Sequence, residues 1–136
     1  MLYGFIILIV VGIFMALKNL FTPMRWGNKE ISFDNFIFLG CTYAVIMISF
    51  GLLFLLLELH GMHVILDSGA YLPDHFLKKL TTSMYLSAIT LFSVGYGDVV
   101  PLGWGRIFVM IEAMIGYTIP AAFVVRTVID YERKDI

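Results

Sequence analysis

An unbroken apolar stretch at residues 36–57 is the feature that most constrains the fold of this chain. It contains no acidic or basic side chain before Glu58. Its length exceeds the roughly 20 residues that a helix needs to cross the hydrocarbon core of a bilayer. The whole chain fits that setting, because 60% of its 136 residues are hydrophobic and 14% are charged. We therefore expect an all-α membrane protein in a lipid bilayer.

Two further apolar stretches predict two more spanning helices. Residues 1–21 predict an additional N-terminal transmembrane helix. A signal peptide is disfavoured there, because no basic segment comes first and Lys18 follows the apolar run. Residues 104–129 predict the last span, which carries Glu112 at mid-membrane depth.

Basic residues at the ends of these spans and beyond them predict the orientation of the chain, because cytoplasmic segments carry an excess of lysine and arginine. Lys78 and Lys79 lie on the side of the membrane opposite to most basic residues, and therefore count against this orientation. We expect a plasma-membrane protein with its N-terminus outside and its C-terminus in the cytoplasm. The residues that set this orientation are Lys18, Arg25, Lys29, Arg126, Arg133 and Lys134.

The segment between the second and last spans divides into a loop and a short helix. Residues 58–73 are polar and rich in turn formers, which predicts an exposed loop at one membrane face. Residues 74–92 predict a re-entrant helix with Asp74 as its N-cap. It is too polar for a lipid-facing span, because several serine and threonine hydroxyls lie among its apolar residues. These are Thr81, Thr82, Ser83, Ser87 and Thr90.

Residues 93–102 lie between that helix and the last span and contain Gly95, Gly97 and Pro101. Non-helical backbone at membrane depth is tolerated where it is buried in protein or lines a watery path. Carbonyl groups aimed at one axis can replace the hydration oxygens of a cation there. The two glycines permit such a backbone, while Val94 and Tyr96 are expected to project backwards and brace it. A plain structural turn is the competing interpretation.

The sequence Ser93-Val94-Gly95-Tyr96-Gly97-Asp98 resembles the selectivity filter of potassium channels, whose pattern is TVGYG. Ser93 stands where most of that family has threonine, which keeps an oxygen ligand and could soften selectivity. Tyr96 argues against the related non-selective cation channels. The resemblance covers residues 74–129 as pore helix, filter and inner helix, and residues 36–57 fit the outer helix. Residues 1–21 lie outside this two-helix pattern.

The resemblance implies a homotetramer, because one loop supplies a quarter of the carbonyls around the pore. It implies K⁺ as the permeant ion and no other cofactor. Oxygens of residues 93–97 would bind the ion, with K⁺ sites at Ser93, Val94, Gly95 and Tyr96. Thr90, Asp98 and Glu112 would support the filter. The pore domain would extend over residues 36–129.

The last span is expected to bend at Pro120, which cannot donate a hydrogen bond to the carbonyl of Gly116. Gly116 also falls where the family has a hinge glycine. A moving hinge and a static kink both fit. Helical spacing would put four residues on the pore side as candidates for the cavity or gate, and these are Tyr117, Pro120, Val124 and Val128.

Glu112 does not share that face, so we expect a structural role with a hydrogen bond to a pore-helix hydroxyl, namely Ser83, Ser87 or Thr90. A role in gating or proton sensing is the alternative. Asp98 could pair with Arg106 or bond to a group of the pore helix. Both choices stay open on the sequence alone.

Other classes of function find little support. The net charge of −1 and the absence of a basic patch disfavour nucleic-acid binding. No catalytic set appears, so we do not expect an enzyme. His60 and His63 are spaced for a metal pair but lack a third ligand.

The leading hypothesis is a passive potassium channel subunit. A weakly selective cation channel and a non-conducting regulatory subunit are the alternatives.

Overall fold

A computed structural model describes residues 2–21 and 33–132, with side chains described for residues 3–18 and 36–125. Arg25, Lys29, Arg133 and Lys134 lie outside the described residues, as do the side chains of Arg126 and Val128. The elements in chain order are α1 (Leu2–Phe21), α2 (Phe33–Leu59), β1 (Ile65–Asp67), β2 (Ala70–Tyr71), α3 (Phe76–Leu91), β3 (Val99–Pro101) and α4 (Gly105–Glu132).

The fold is mostly helical, as the sequence predicted. Within the described residues, two segments are long and apolar enough to cross a membrane, Phe36–Leu59 in α2 and Gly105–Val125 in α4. The described apolar part of α1, Tyr3–Lys18, is shorter than a full span. Both segments, in α2 and α4, have the length and composition of membrane-spanning helices.

Helix α3 lies between α2 and α4, while α1 packs against α2. Several polar side chains of α3 are buried, namely Thr82, Ser83, Ser87 and Thr90. The apolar core beside them includes Ile46 and Phe54 of α2. The short helix is therefore covered by protein, which explains how a helix with so many hydroxyls is stable beside two apolar ones.

Residues 58–73 form more structure than the exposed loop expected from the sequence. Strand β1 pairs antiparallel with β2 and with β3, giving a three-stranded sheet of order β2-β1-β3. Ile65 of β1 is buried, as are Val64 directly before β1 and Leu72 directly after β2. The expectation of a plain loop was therefore wrong. Strands of two or three residues leave no periodic pattern in the sequence, and the partner strand β3 lies beyond α3 in the chain.

The start of α3 also differs from the prediction. The N-cap is His75, which makes no side-chain capping hydrogen bond. Asp74 instead accepts a hydrogen bond from Lys79 Nζ at 3.0 Å. The expected Asp74 cap was therefore wrong, since the carboxylate of Asp74 is engaged by a lysine rather than by backbone amides. Both lysines of this turn are paired, because Lys78 Nζ lies 2.7 Å from Asp67 Oδ2.

Candidate functional site

The glycine-rich loop begins where α3 ends in a Schellman motif. The amide of Ser93 donates to the carbonyl of Thr90 at 3.0 Å, and the amide of Val94 donates to the carbonyl of Ile89 at 2.8 Å. Such a motif needs a left-handed residue just beyond the helix, and Ser93 has a φ of 56°. β-Branched residues rarely adopt this conformation, which gives a local reason for serine rather than threonine.

Left-handed backbone recurs at every second residue of the loop. After Ser93, Gly95 has a φ of 54° and Gly97 a φ of 81°, while Val94 and Tyr96 have no positive φ. Glycine reaches this left-handed conformation without strain, so the glycines at alternate positions allow a backbone that residues with a Cβ rarely adopt.

The side chains of Val94 and Tyr96 are largely uncovered on a single chain. Their exposed fractions are 49% and 74%. The sequence analysis expected these side chains to brace the loop from behind. The described part of one chain does not provide that support, so any bracing must come from outside it.

Asp98, directly after the loop, is held from two directions. Tyr85 Oη of α3 donates to its carboxylate, at 3.1 Å from Oδ1 and 3.0 Å from Oδ2. The amide of Ser68 donates to its carbonyl at 2.8 Å. The sequence left two partners open for the Asp98 side chain, Arg106 and a group of the pore helix. The structure shows the pore-helix group, Tyr85, whereas Arg106 Nε donates to the carbonyl of Pro101 at 3.3 Å.

Glu112 is fully buried, with 0% exposure, where α4 meets α3 and α2. Ser87 Oγ is hydrogen-bonded to Glu112 Oε1 and also contacts the carbonyl of Met47 at 2.8 Å. The predicted bond to a pore-helix hydroxyl is therefore confirmed. Within the described residues, Glu112 Oε2 and the buried Ser83 Oγ have no hydrogen-bond partner. The carboxyl group of α4 is thus joined to Ser87 of α3, and the same hydroxyl contacts the backbone of α2.

The candidate hinge and gate residues lie on α4 with different surroundings. A Cβ on Gly116 would overlap the carbonyl oxygen of Leu91, so this glycine allows α4 to approach the end of α3. Tyr117, Pro120 and Val124 are exposed on one chain. Val128 stays a prediction, because its side chain lies outside the described ones.

Two residues that sequence reasoning missed organise the surroundings of the loop. Tyr43 Oη donates to the carbonyl of Gly116 at 2.7 Å. Glu58 Oε1 accepts from the amides of Val64 and Ile65 at 2.7 and 2.8 Å, which anchors β1. The role of Tyr43 was not predictable, because it lies among apolar residues and resembles a core side chain. The role of Glu58 could have been suspected, since Glu58 is the first charged residue after a long apolar span.

The two loop histidines do not form a metal centre with other described residues. His63 Nδ1 lies 3.6 Å from Glu58 Oε2. His60 Nδ1 lies 2.8 Å from the carbonyl of Leu56. Within the part of the chain that the structure describes, no three histidine, cysteine, aspartate or glutamate side chains converge. Metal binding there gains no support.

Residues 43–133 match a protein family described as ion channel, which is more than half of the chain. The chain belongs to this family of two-transmembrane, potassium-channel-like pores. The resemblance drawn from residues 93–98 is thus confirmed at the level of the family. Membership points to a channel rather than to an enzyme.

Two curated relatives match nearly the whole chain. It is 34% identical over 132 residues to Protein LctB of Geobacillus stearothermophilus, covering 97% of this chain and 98% of that protein. It is 33% identical over 132 residues to Protein LctB of Bacillus caldotenax, with the same coverage. No solved structure matches the chain significantly. These relatives extend the similarity beyond the family match toward the N-terminal helix.

Proposed function

We propose that this chain is a subunit of a passive channel selective for K⁺, with residues 93–97 as its selectivity filter. The observation that carries the proposal is the alternation of left-handed backbone at Ser93, Gly95 and Gly97. Successive carbonyl oxygens on one side of such a loop can replace the hydration shell of K⁺ without adding a fixed charge. The hydroxyl of Ser93 adds an oxygen at the inner end.

The helix before the loop favours a cation. The carboxyl end of α3 carries a partial negative charge from its backbone dipoles, and Ser93 directly follows the cap residue Phe92. No acidic side chain lies within residues 93–97, so the attraction comes from backbone groups. Such groups bind a cation weakly enough for it to leave again.

The channel is a homotetramer in this proposal. One loop presents one row of oxygens, and a closed ring requires several chains around an axis. The exposure of Val94 and Tyr96 on one chain supports the proposal, because neighbouring subunits would cover side chains that are otherwise bare next to an ion path. The N-terminus is outside and the C-terminus cytoplasmic in the plasma membrane, as the basic residues indicate.

The test is current through the purified chain in planar bilayers under opposed K⁺ and Na⁺ gradients. A reversal potential close to the K⁺ equilibrium value is expected. Equal permeability would instead support a weakly selective cation channel. Absence of current from folded, assembled protein would overturn conduction and support a non-conducting regulatory subunit.

Gly97→Ala tests the filter itself, since a side chain strains a backbone with a φ of 81°. Gly69→Ala is the matched control. Gly69 has a φ of 83°, and neither glycine has a described atom within 4 Å of an added Cβ. Loss of K⁺ current in the first variant and its retention in the second are expected. Unchanged current in Gly97→Ala would contradict the filter assignment.

A further inference from the structure

Pro120 leaves one backbone carbonyl of α4 without its usual partner. Pro120 is inside α4 and has no amide hydrogen to donate to the carbonyl of Gly116, four residues earlier. Gly116 is buried, so water does not readily replace the missing donor. A buried carbonyl without a partner is costly, and some other group must supply a hydrogen.

The hydroxyl of Tyr43 supplies that hydrogen. Its oxygen donates to the Gly116 carbonyl at 2.7 Å, across 73 positions of sequence. The Tyr43 side chain is itself buried, with 8% of the residue exposed. A single hydroxyl of the outer helix therefore replaces the backbone hydrogen bond that the proline removes from the inner helix.

The ring of Tyr43 also contacts the start of the filter loop. It stacks on Phe92, with ring centroids 5.5 Å apart and planes inclined by 17°. Phe92 is the cap residue of α3 and immediately precedes Ser93. Next to this contact in the chain, the backbone of Leu91 lies so close to Gly116 that a Cβ would not fit there. The side chain of Tyr43 on α2 thus contacts both α4, through its hydroxyl, and the cap residue of α3, through its ring.

We propose that Tyr43 is a positioning residue that fixes α4 at Gly116 and links it to the entrance of the filter. Its hydroxyl supplies the hydrogen bond that Pro120 cannot, and its ring stacks on Phe92. The link to the filter rests on the proposed function, whereas the hydrogen bond to α4 does not. A movement of α4 at Gly116 would require this bond to break, and the movement would reach Phe92 through the ring.

A double-mutant cycle of Tyr43→Phe and Pro120→Ala tests this inference. Phenylalanine keeps the ring and removes the hydroxyl. Alanine at position 120 restores an amide that can donate to Gly116, so the hydroxyl is no longer needed. Tyr71→Phe is the control, because the described residues offer the exposed Tyr71 hydroxyl no hydrogen bond.

Two quantities are measured on the full chain, the open-to-closed ratio of single channels in bilayers and the equilibrium constant of unfolding in detergent. Tyr43→Phe alone should change each about tenfold. In the Pro120→Ala background the same change should be less than about twofold. Tyr71→Phe should leave both near wild type.

An equal effect of Tyr43→Phe in both backgrounds would overturn the inference, as would an unaltered open-to-closed ratio in a conducting Tyr43→Phe channel. The unfolding measurement separates this result from failure of the proposed function. A chain without K⁺ current that still shows coupled unfolding effects would overturn the proposed function and support the Tyr43–Gly116 link.

Discussion

Tyr85 Oη donates to the carboxylate of Asp98, so a side chain of the pore helix holds the residue that follows the candidate filter. Ser68, between β1 and β2, holds the same residue through its backbone. The end of the loop is thus fixed by α3 and by the sheet together. Its beginning is fixed by the Schellman motif at Ser93.

Tyr85→Phe should therefore loosen the end of the filter without unfolding the chain. The ring is kept and the hydrogen bond to Asp98 is lost. We expect a lower ratio of K⁺ to Na⁺ permeability and shorter openings, measured in bilayers under mixed-ion conditions. Asp98→Asn should have a milder effect, because an amide oxygen still accepts from the hydroxyl. Identical permeability ratios in wild type and Tyr85→Phe would contradict a role for this bond.

Gly116→Ala should destabilise the packing of α4 against α3. An added Cβ would overlap the carbonyl oxygen of Leu91, and overpacking of this kind costs about 1–3 kcal/mol. The measurement is the free energy of unfolding in detergent. Gly12→Ala in α1 is the matched control, since it has open space at the Cβ position and alanine favours a helix by ~1 kcal/mol. Equal stability of the two variants would refute the close approach.

Glu112→Gln should preserve both stability and conduction. A glutamine amide can still hydrogen-bond to Ser87, whereas Glu112→Ala leaves that buried polar cluster incomplete at a cost of about 1–3 kcal/mol. Unfolding and bilayer current are measured on both variants. A pH dependence of current that disappears in Glu112→Gln would contradict a purely structural role and favour proton sensing.

The pair formed by Lys78 and Asp67 should make stability depend on acid pH. The hydrogen bond from Lys78 holds the pKa of Asp67 below its usual value, against a smaller opposing effect of burial. A lowered pKa in the folded chain contributes stability above the unfolded pKa of about 3.9, and this is lost as pH falls through the folded value. The side chain of Lys78 is half exposed and that of Asp67 is partly exposed, so solvent screens the pair and the effect should stay below ~1 kcal/mol.

Lys78→Met removes the cation and keeps a long side chain. Its thermal stability should be slightly lower than that of wild type near neutral pH and should converge with it as the solution is acidified below pH ~4. A constant difference across that range would mean that the charge of Asp67 is not involved.

Much of the helical framework followed from local sequence. Long apolar runs without charges predicted α2 and α4, and the mixture of apolar residues and hydroxyls predicted that α3 is short and covered by protein. The bond between Glu112 and a pore-helix hydroxyl was also predictable, because a carboxyl group at membrane depth requires a polar partner. The role of residues 93–97 stays a prediction that bilayer measurements must test.

The sequence by itself determined the four helices and the glycine-rich loop, because hydrophobic runs and backbone restrictions act over neighbouring residues. Only the tertiary structure decided the sheet, the partner of Asp98 and the contact of Tyr43 with Gly116. Strands of two or three residues carry no periodic signal, and a tyrosine in an apolar helix resembles any other core residue. Its partner is a carbonyl 73 positions away, which becomes visible when α2 and α4 are packed together.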